Sequence, residues 1–419
     1  MASRALSTPH VQSNLAGMEV AESAVLKLLD YCQASNWAGY EPYDVLNSRV
    51  IRALPFLDFR LARIALTQAL KRSPINVRRL LLIDKAQNPK AIAIFLSSLL
   101  KLSAAGIASV ENEIQALTER LIALRSQGEP YWCWGYSFPW QTRKVLVPRG
   151  AANLVCTSFA ATALLDAYEQ LHDSRCLKMA TSAAEYLLNV LYWTGKGAVA
   201  GFAYPLPWVR PQVYNANFLA AAVMTRVYKH TGCEQFLGPA LAAARYSASK
   251  QRDDGSWFYG EGPSQQWIDN FHTGYNLLGL RSIGRYAGTN EFEPHVRRGL
   301  KFYRSHFFCE DGVVRYFHNR TYPIDIHCVA QSIITLLELQ DLDPTGPALA
   351  SSVFRWAMNH MWDDRGFFYF RILRLGINRI SYIRWSQAWM LLAMSTLLYE
   401  SNKTGEFSHN GSYMASRGA

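Results

Sequence analysis

PQVYNANFLAAAVMTRVY (211–228), IDNFHTGYNLLGLRSIGRY (268–286) and PIDIHCVAQSIITLLEL (323–339) are long apolar segments that each open on polar residues. Aligning the openings puts Asn215, Asn270 and Asp325 in register at a spacing of 55, from 270 − 215 and 325 − 270. A period that long marks a repeated supersecondary unit. RGAANLVCTSFAATALLDAY (149–168) and ISYIRWSQAWMLLAMSTLLY (380–399) share the character. Each segment is apolar nearly all round, as a helix buried on every side must be.

The first four long segments are each followed by a shorter amphipathic helix carrying Arg, Lys and Glu at intervals, the pattern of an outer ring. Gly- and aromatic-rich turns punctuate the chain: EPYWCWGYSFPWQ (129–141), GKGAVAGFAYPLPW (195–208), QRDDGSWFYGEG (251–262), CEDGVVRYFHN (309–319) and WDDRGFFYFRI (362–372). Their D-G and G-x-G steps between aromatic residues predict short two-stranded ribbons. Inner helices are expected near 88, 150, 211, 267, 324 and 381, and outer ones near 107, 174, 234, 290 and 345. A helix over 17–35 supplies the sixth outer member if the ring closes. The helical residues 45–87 leave a seventh hairpin or an open solenoid as alternatives. The fold class is therefore all-α, an (α/α)6 toroid of helical hairpins with short β-ribbon turns. One domain over 17–401 lies between an N-terminal tail (1–16) and a disordered C-terminal tail (402–419).

Twelve Trp and 22 Tyr suit both a stacked-helix core and a sugar cleft, where flat rings meet the apolar faces of pyranoses. A net charge of +11 favours an anionic partner, an acidic oligo- or polysaccharide foremost. Nucleic acid is not expected, because the charge reads as dispersed and no recognition motif accompanies it. Seven scattered Cys without a CxxC pair read as reduced thiols. No ligand cluster has metal spacing, and no cofactor is expected. MASRALSTPHVQSNLAGMEVAE (1–22) lacks an apolar signal-peptide core, and no apolar run is long enough to span a bilayer, so the expected compartment is the cytoplasm.

QRDDGSW (251–257) resembles the Q-x-x-D-G-S-W element of the QW repeat in squalene and terpene cyclases and related α/α toroids. That resemblance implies a structural role for Gln251 and Trp257 in clamping one hairpin to the next. GYEPYDVLNS (39–48), KRSPINVRRLL (71–81), NPKAIAIFL (88–96) and WIDNFHTGYNLLGL (267–280) together resemble toroid proteins associated with bacterial and archaeal polysaccharide biosynthesis. This implies a glycan setting and fixes no reaction.

In a closed toroid the openings of the inner helices gather at one mouth, so residues a repeat apart converge. Acid–base candidates are Asp269, His272, Tyr275, Asp325 and His327. Hydrolysis of a glycosidic bond would use Asp269 and Asp325 as the two carboxyl groups. Elimination or C5 epimerisation of a uronate would use His272, His327 and Tyr275, with neighbouring groups neutralising the sugar carboxylate. Substrate-binding candidates are Asn215, Asn217, Asn270, Gln331, Arg384, Trp385, Tyr40, Tyr43 and Asp44. Each Asn or Asp at a helix start could equally be an N-cap. Lys71, Arg72, Arg78, Arg79, Lys85 and Lys90 could line the rim and attract an acidic chain. The leading function is a carbohydrate-active enzyme. A non-catalytic glycan-binding or scaffold subunit is a second reading, and a terpene cyclase or prenyltransferase a third, although its DxDD and DDxxD motifs are missing.

Overall fold

The computed structural model describes residues 9–403, with side chains from Glu19 onward. The chain opens with α1 (Pro9–Ala34), followed by the short α2 (Arg49–Arg52) and by α3 (Arg60–Arg72). Five hairpins follow, each with its inner helix first. They are α4 (Pro89–Ala104) with α5 (Glu111–Ala123), α6 (Leu154–Leu171) with α7 (Ser174–Tyr186), and α8 (Tyr214–Thr231) with α9 (Leu237–Ala248). Next come α10 (Asn270–Ala287) with α11 (Glu293–Phe307), and α12 (Ile326–Glu338) with α13 (Gly346–Met361). The last inner helix is α14 (Trp389–Lys403).

The inner helices pack in cyclic order, α4 on α6, α8, α10, α12 and α14 in turn, and α14 returns to α4. Helix α1 lies against α14 as the sixth outer helix. The ring is closed, and the fold is the (α/α)6 toroid. Sequence and burial agree on the two rings. In α12 every residue from Ile326 to Leu337 is buried. In α11 only one stripe is buried, Val296, Gly299, Leu300, Phe302, Tyr303 and Phe307, while the other faces carry charge. Helix α1 starts at Pro9, ahead of the expected 17. Beyond Lys403, the predicted tail lies outside the described residues.

Residues 45–87 are not a seventh hairpin. They form a cap with its own small cluster, Val45, Leu46, Leu70 and Ile83. The reason is visible in α3, which buries only Thr67 and Leu70 and so cannot stack into a ring. The cap is fastened across the N-terminal ends of the inner helices. Asn47 donates to Ser137 O, Arg63 to Gln141 Oε1, and Asn378 to Ser73 O.

The turn resembling a QW repeat is a clamp between hairpins. Gln251 Nε2 donates to Gly255 O and to His295 O of α11, and buried Trp257 donates to Ser247 O of α9. Gly255 has φ +90°, and a Cβ there would fall 2.4 Å from Arg298 O. Only glycine lets the turn sit on α11 so closely. Gly312 and Gly366 repeat the device against Ser352 O of α13 and Lys27 O of α1, which is how α1 is held in its place as the sixth outer helix. Trp257→Ala should lose a fully packed ring and about 3–5 kcal/mol of stability, measured by denaturant unfolding, while the circular dichroism stays helical.

Candidate functional site

Four inner helices start on a side-chain cap. Asn88 accepts from Lys90 N, Asn153 from Cys156 N, Asp269 from His272 N and Asp325 from His327 N. With Val213 at the cap position of α8, the equivalent positions are 213, 269 and 325, a spacing of 56. The 55-residue alignment is therefore one residue out of step. Asn270 falls inside α10, and the equivalent of His327 is Phe271, not His272. The two rings stack at 4.6 Å.

Asp269 does more than cap. Its Oδ2 bonds His272 Nδ1 at 2.7 Å and accepts from Trp267 Nε1 at 3.0 Å. Trp267 stacks on Tyr259 at 4.6 Å, and His272 packs against Tyr259 and Phe271. With its side chain 20 % exposed, His272 keeps Nε2 free of any partner among the described residues. An imidazole backed by a carboxylate, with its far nitrogen open, is equipped as a general base.

His327 shares a 2.8 Å hydrogen bond with the Tyr275 hydroxyl through Nε2. Its ring lies between Phe271 and Trp389, with Trp385 edge-on at 4.8 Å, and Nδ1 is buried without a partner among the described residues. Burial, then the charges of Lys90 and Arg384, hold the imidazole well below the usual histidine range, so it is neutral at pH 7. Burial pushes the Tyr275 hydroxyl well up, and it keeps its proton. Tyr275 and His272 are 6.1 Å apart between ring centroids.

Beneath this pair sits Lys90, which belongs at the centre and not at the rim expected from its sequence. It is 4 % exposed. Its Nζ lies 4.0 Å from the Phe159 ring centroid, 5.3 Å from that of Trp389 and 5.6 Å from that of Tyr275. No hydrogen bond or ion pair to Nζ forms among the described residues. Burial, reinforced by Arg384, pushes the amine well below the ordinary lysine range. The signal was in the sequence: Lys90 follows its cap, Asn88, at the same interval as His327 follows Asp325.

The other charges at the centre are internally neutralised. Arg384 grips Glu41 through Nε–Oε1 at 2.9 Å and Nη2–Oε2 at 2.7 Å. Asp325 has no exposure and no free oxygen. Oδ1 accepts from His327 N and Trp385 Nε1, and Oδ2 pairs with Arg371 at 2.6 Å. Arg371 is delivered by strand register, directly opposite Asp325 in the ribbon of 324–325 with 371–373. Glu41 and Arg371 escaped sequence reading because their partners lie far along the chain.

His272, Tyr275, His327, Arg384 and Trp385 thus gather at one place, and Tyr43 reaches it through Trp385 at 5.8 Å. Asn215 stands in the adjoining wall with Oδ1 buried and unpaired among the described residues. Four other candidates are held by partners within the protein, three of them tying separate segments and Gln331 bonding one turn along its own helix. Asn217 bonds Phe202 N, Gln212 and Ser247; Asn270 bonds Ser332 and Tyr303; Gln331 bonds Thr335; Asp44 pairs with Arg78. Asn217, Asn270 and Gln331 are buried in the inner helices and Asp44 is buried against the cap, where a polar side chain secures packing. Tyr40 lies in the cap, 5.8 Å over Arg78.

A cavity of about 660 Å³ opens at the opposite end of the ring, lined by the C-terminal turns of the inner helices. Its charges are largely paired with one another, Lys101 with Glu338 and Arg226 with Asp166 and Glu169, and its nearest imidazole, His230, is bonded to Glu169 at 2.7 Å.

No protein-family model matches this sequence, nor does any curated protein. Solved structures do. The cellobiose 2-epimerase of Bacillus thermoamylovorans B4167 aligns with a TM-score of 0.61 at 10% identity, over 76% of this chain and 90% of that one. A GH76 α-mannanase of Bacteroides thetaiotaomicron gives 0.57 at 13%, over 75% and 86%. The unsaturated glucuronyl hydrolase of Bacillus sp. GL1 gives 0.53 at 16%, over 77% and 88%. At these identities the likeness is one of fold.

The buried imidazole sets a pH signature. Unfolded, His327 titrates near its ordinary pKa of about 6.5; folded, it takes its proton only at lower pH. The unfolded state therefore binds the extra proton, and stability falls as pH drops below about 6.5, by up to about 1.4 kcal/mol per pH unit from this group. His327→Phe should flatten that loss in denaturant unfolding measured from about pH 7.5 down to 5.

Proposed function

We propose that the protein is a carbohydrate-active enzyme that moves a proton on an acidic saccharide by acid–base chemistry at the mouth of the toroid. The observation that carries this reading is the Asp269–His272 pair, its Nε2 open, beside the Tyr275–His327 pair. His272 would take a proton from the carbon next to a carbonyl or carboxylate, with Asp269 stabilising the imidazolium. Tyr275, backed by His327, would hand a proton to the sugar from another direction. Two proton-carrying groups on one sugar serve epimerisation, or elimination if a leaving group is lost. Hydrolysis by two carboxyl groups is less well served, because Asp269, Asp325 and Glu41 are all committed to partners. Fold likeness to a sugar epimerase and to glycoside hydrolases supports a saccharide substrate. Seven free thiols suit a reducing compartment such as the cytoplasm.

The test is proton exchange. Incubation with a glucuronate-containing oligosaccharide in D2O, followed by NMR, should show deuterium entering at the acidified carbon. His272→Ala should slow that exchange by about 10²-fold or more and leave the melting temperature near that of the parent. Cleavage without exchange would instead establish hydrolysis, and binding without turnover a scaffold.

The acidity of the substrate rests on Lys90, a buried amine whose Nζ forms no hydrogen bond or ion pair among the described residues. Lys90→Met should melt at or above the parent, because a buried amine is replaced by an apolar chain of similar length. The same variant should lose about tenfold in affinity for the acidic oligosaccharide and little for its carboxyl-reduced form, measured by calorimetry.

A further inference from the structure

The cap over the ring has a composition unlike the rest of the molecule. Between Arg49 and Lys85 stand nine Lys and Arg against Asp58 and Asp84, a net +7 in a chain of +11. The positive charge that reads as dispersed along the sequence is concentrated here. Part of it is spent internally: Arg78 on Asp44, Arg63 on Asp58 and Arg49 on Asp84. Arg52, Arg60, Arg72, Arg79 and Lys85 are exposed and form no ion pair among the described residues.

Interleaved with these cations are large apolar side chains that face water. Phe56 is 70 % exposed, Ile75 68 % and Leu80 80 %, and Phe59, Leu61 and Leu82 accompany them. Trp208 and Leu375 are exposed on turns at the same end of the ring. Single exposed apolar residues need no explanation, but a concentration of them on one element does. Folding does not require it, because the cap's cluster uses other residues, Val45, Leu46, Leu70 and Ile83. The cap lies beside the site, since Lys71 Nζ bonds Tyr43 at 2.6 Å and Tyr43 packs on Trp385.

From this juxtaposition we propose that the cap docks on the surface of an anionic phospholipid bilayer, with the mouth of the ring turned towards the membrane. The charge decides the occupant. Five unpaired cations repel a second copy of the same face, and they attract acidic headgroups while the aromatic and leucine side chains enter the interface. No helix among the described residues is long and apolar enough to cross a bilayer, so the contact is one of surface and not of span.

Flotation of the intact protein with vesicles tests this without reference to any sugar. It should float with phosphatidylcholine vesicles containing phosphatidylglycerol, and not with phosphatidylcholine alone. Raising the salt should weaken the binding. The pairs Phe56→Ser with Leu80→Ser and Arg52→Glu with Arg79→Glu should each weaken it by about tenfold or more, with melting temperatures unchanged because all four side chains are exposed. Failure to float, equal binding to neutral vesicles, or binding indifferent to both pairs would overturn the proposal. So would a dimer in light scattering that Phe56→Ser with Leu80→Ser dissolves, because the face would then belong to a second copy. Proton exchange on a sugar in the absence of flotation would leave the catalytic reading standing and this one refuted.

Discussion

Six helices buried on every side have six N-termini whose first amide groups cannot all reach water. Each orphaned N–H in that position must find an acceptor within the protein. The toroid depends on this constraint, because it forces polar side chains into the middle of an otherwise apolar ring. Asn88, Asn153, Asp269 and Asp325 meet it by capping their helices. The fold therefore brings carboxylates and amides to its own centre before any function is asked of them. Asp269 shows the step from one role to the other: Oδ1 holds the helix, and Oδ2 is left over to hold His272.

Once charges are at the centre, each needs a partner, since an isolated buried ion is expensive. Glu41 meets Arg384, Asp44 meets Arg78, and Asp325 meets Arg371. Removing one member of such a pair strands the other. That is why these carboxylates are poor candidates for groups that must gain and lose protons in turnover. Lys90 stands outside the pattern. Its Nζ faces the rings of Phe159, Trp389 and Tyr275 and forms no ion pair among the described residues, and a cation–π cage offsets only part of the cost of burying an amine.

The architecture was legible in the sequence because it repeats. Apolar helices alternating with amphipathic ones gave the order of the hairpins, with a seventh hairpin left open until residues 45–87 proved to be a cap, and the Gly-containing turns marked where hairpins meet the outer helices. The site was legible only in outline. Aligning by residue type set Asn270 beside Asp325, whereas hydrogen bonding aligns Asp269 with it. One residue on a helix is a rotation of about 100°, so Asn270 turns away to Tyr303 and Ser332. His272 and His327 accordingly stand one position apart within the first turns of their helices, and their environments differ. One is backed by a carboxylate and open, the other stacked and buried. Pairings such as Glu41 with Arg384, 343 residues apart, leave no local trace in a single sequence.

The two ends of the ring differ for an electrostatic reason that follows from chain order. Every inner helix runs the same way, because each is regained through an outer helix that returns the chain. Their N-termini, each worth about half a positive charge, all point at one mouth. Two capping aspartates answer part of that field, and Lys90 and Arg384 add to it. The field disfavours a further proton on His327, in the same direction as its burial and then the neighbouring cations, which lower its pKa. At the far end the C-terminal turns gather the opposite sign, and there Lys101 and Arg226 close on Glu338, Asp166 and Glu169. The positive ends of the inner-helix dipoles thus fall at the end that holds His272 and His327, and the cations of the cap extend the same polarity outward from the mouth.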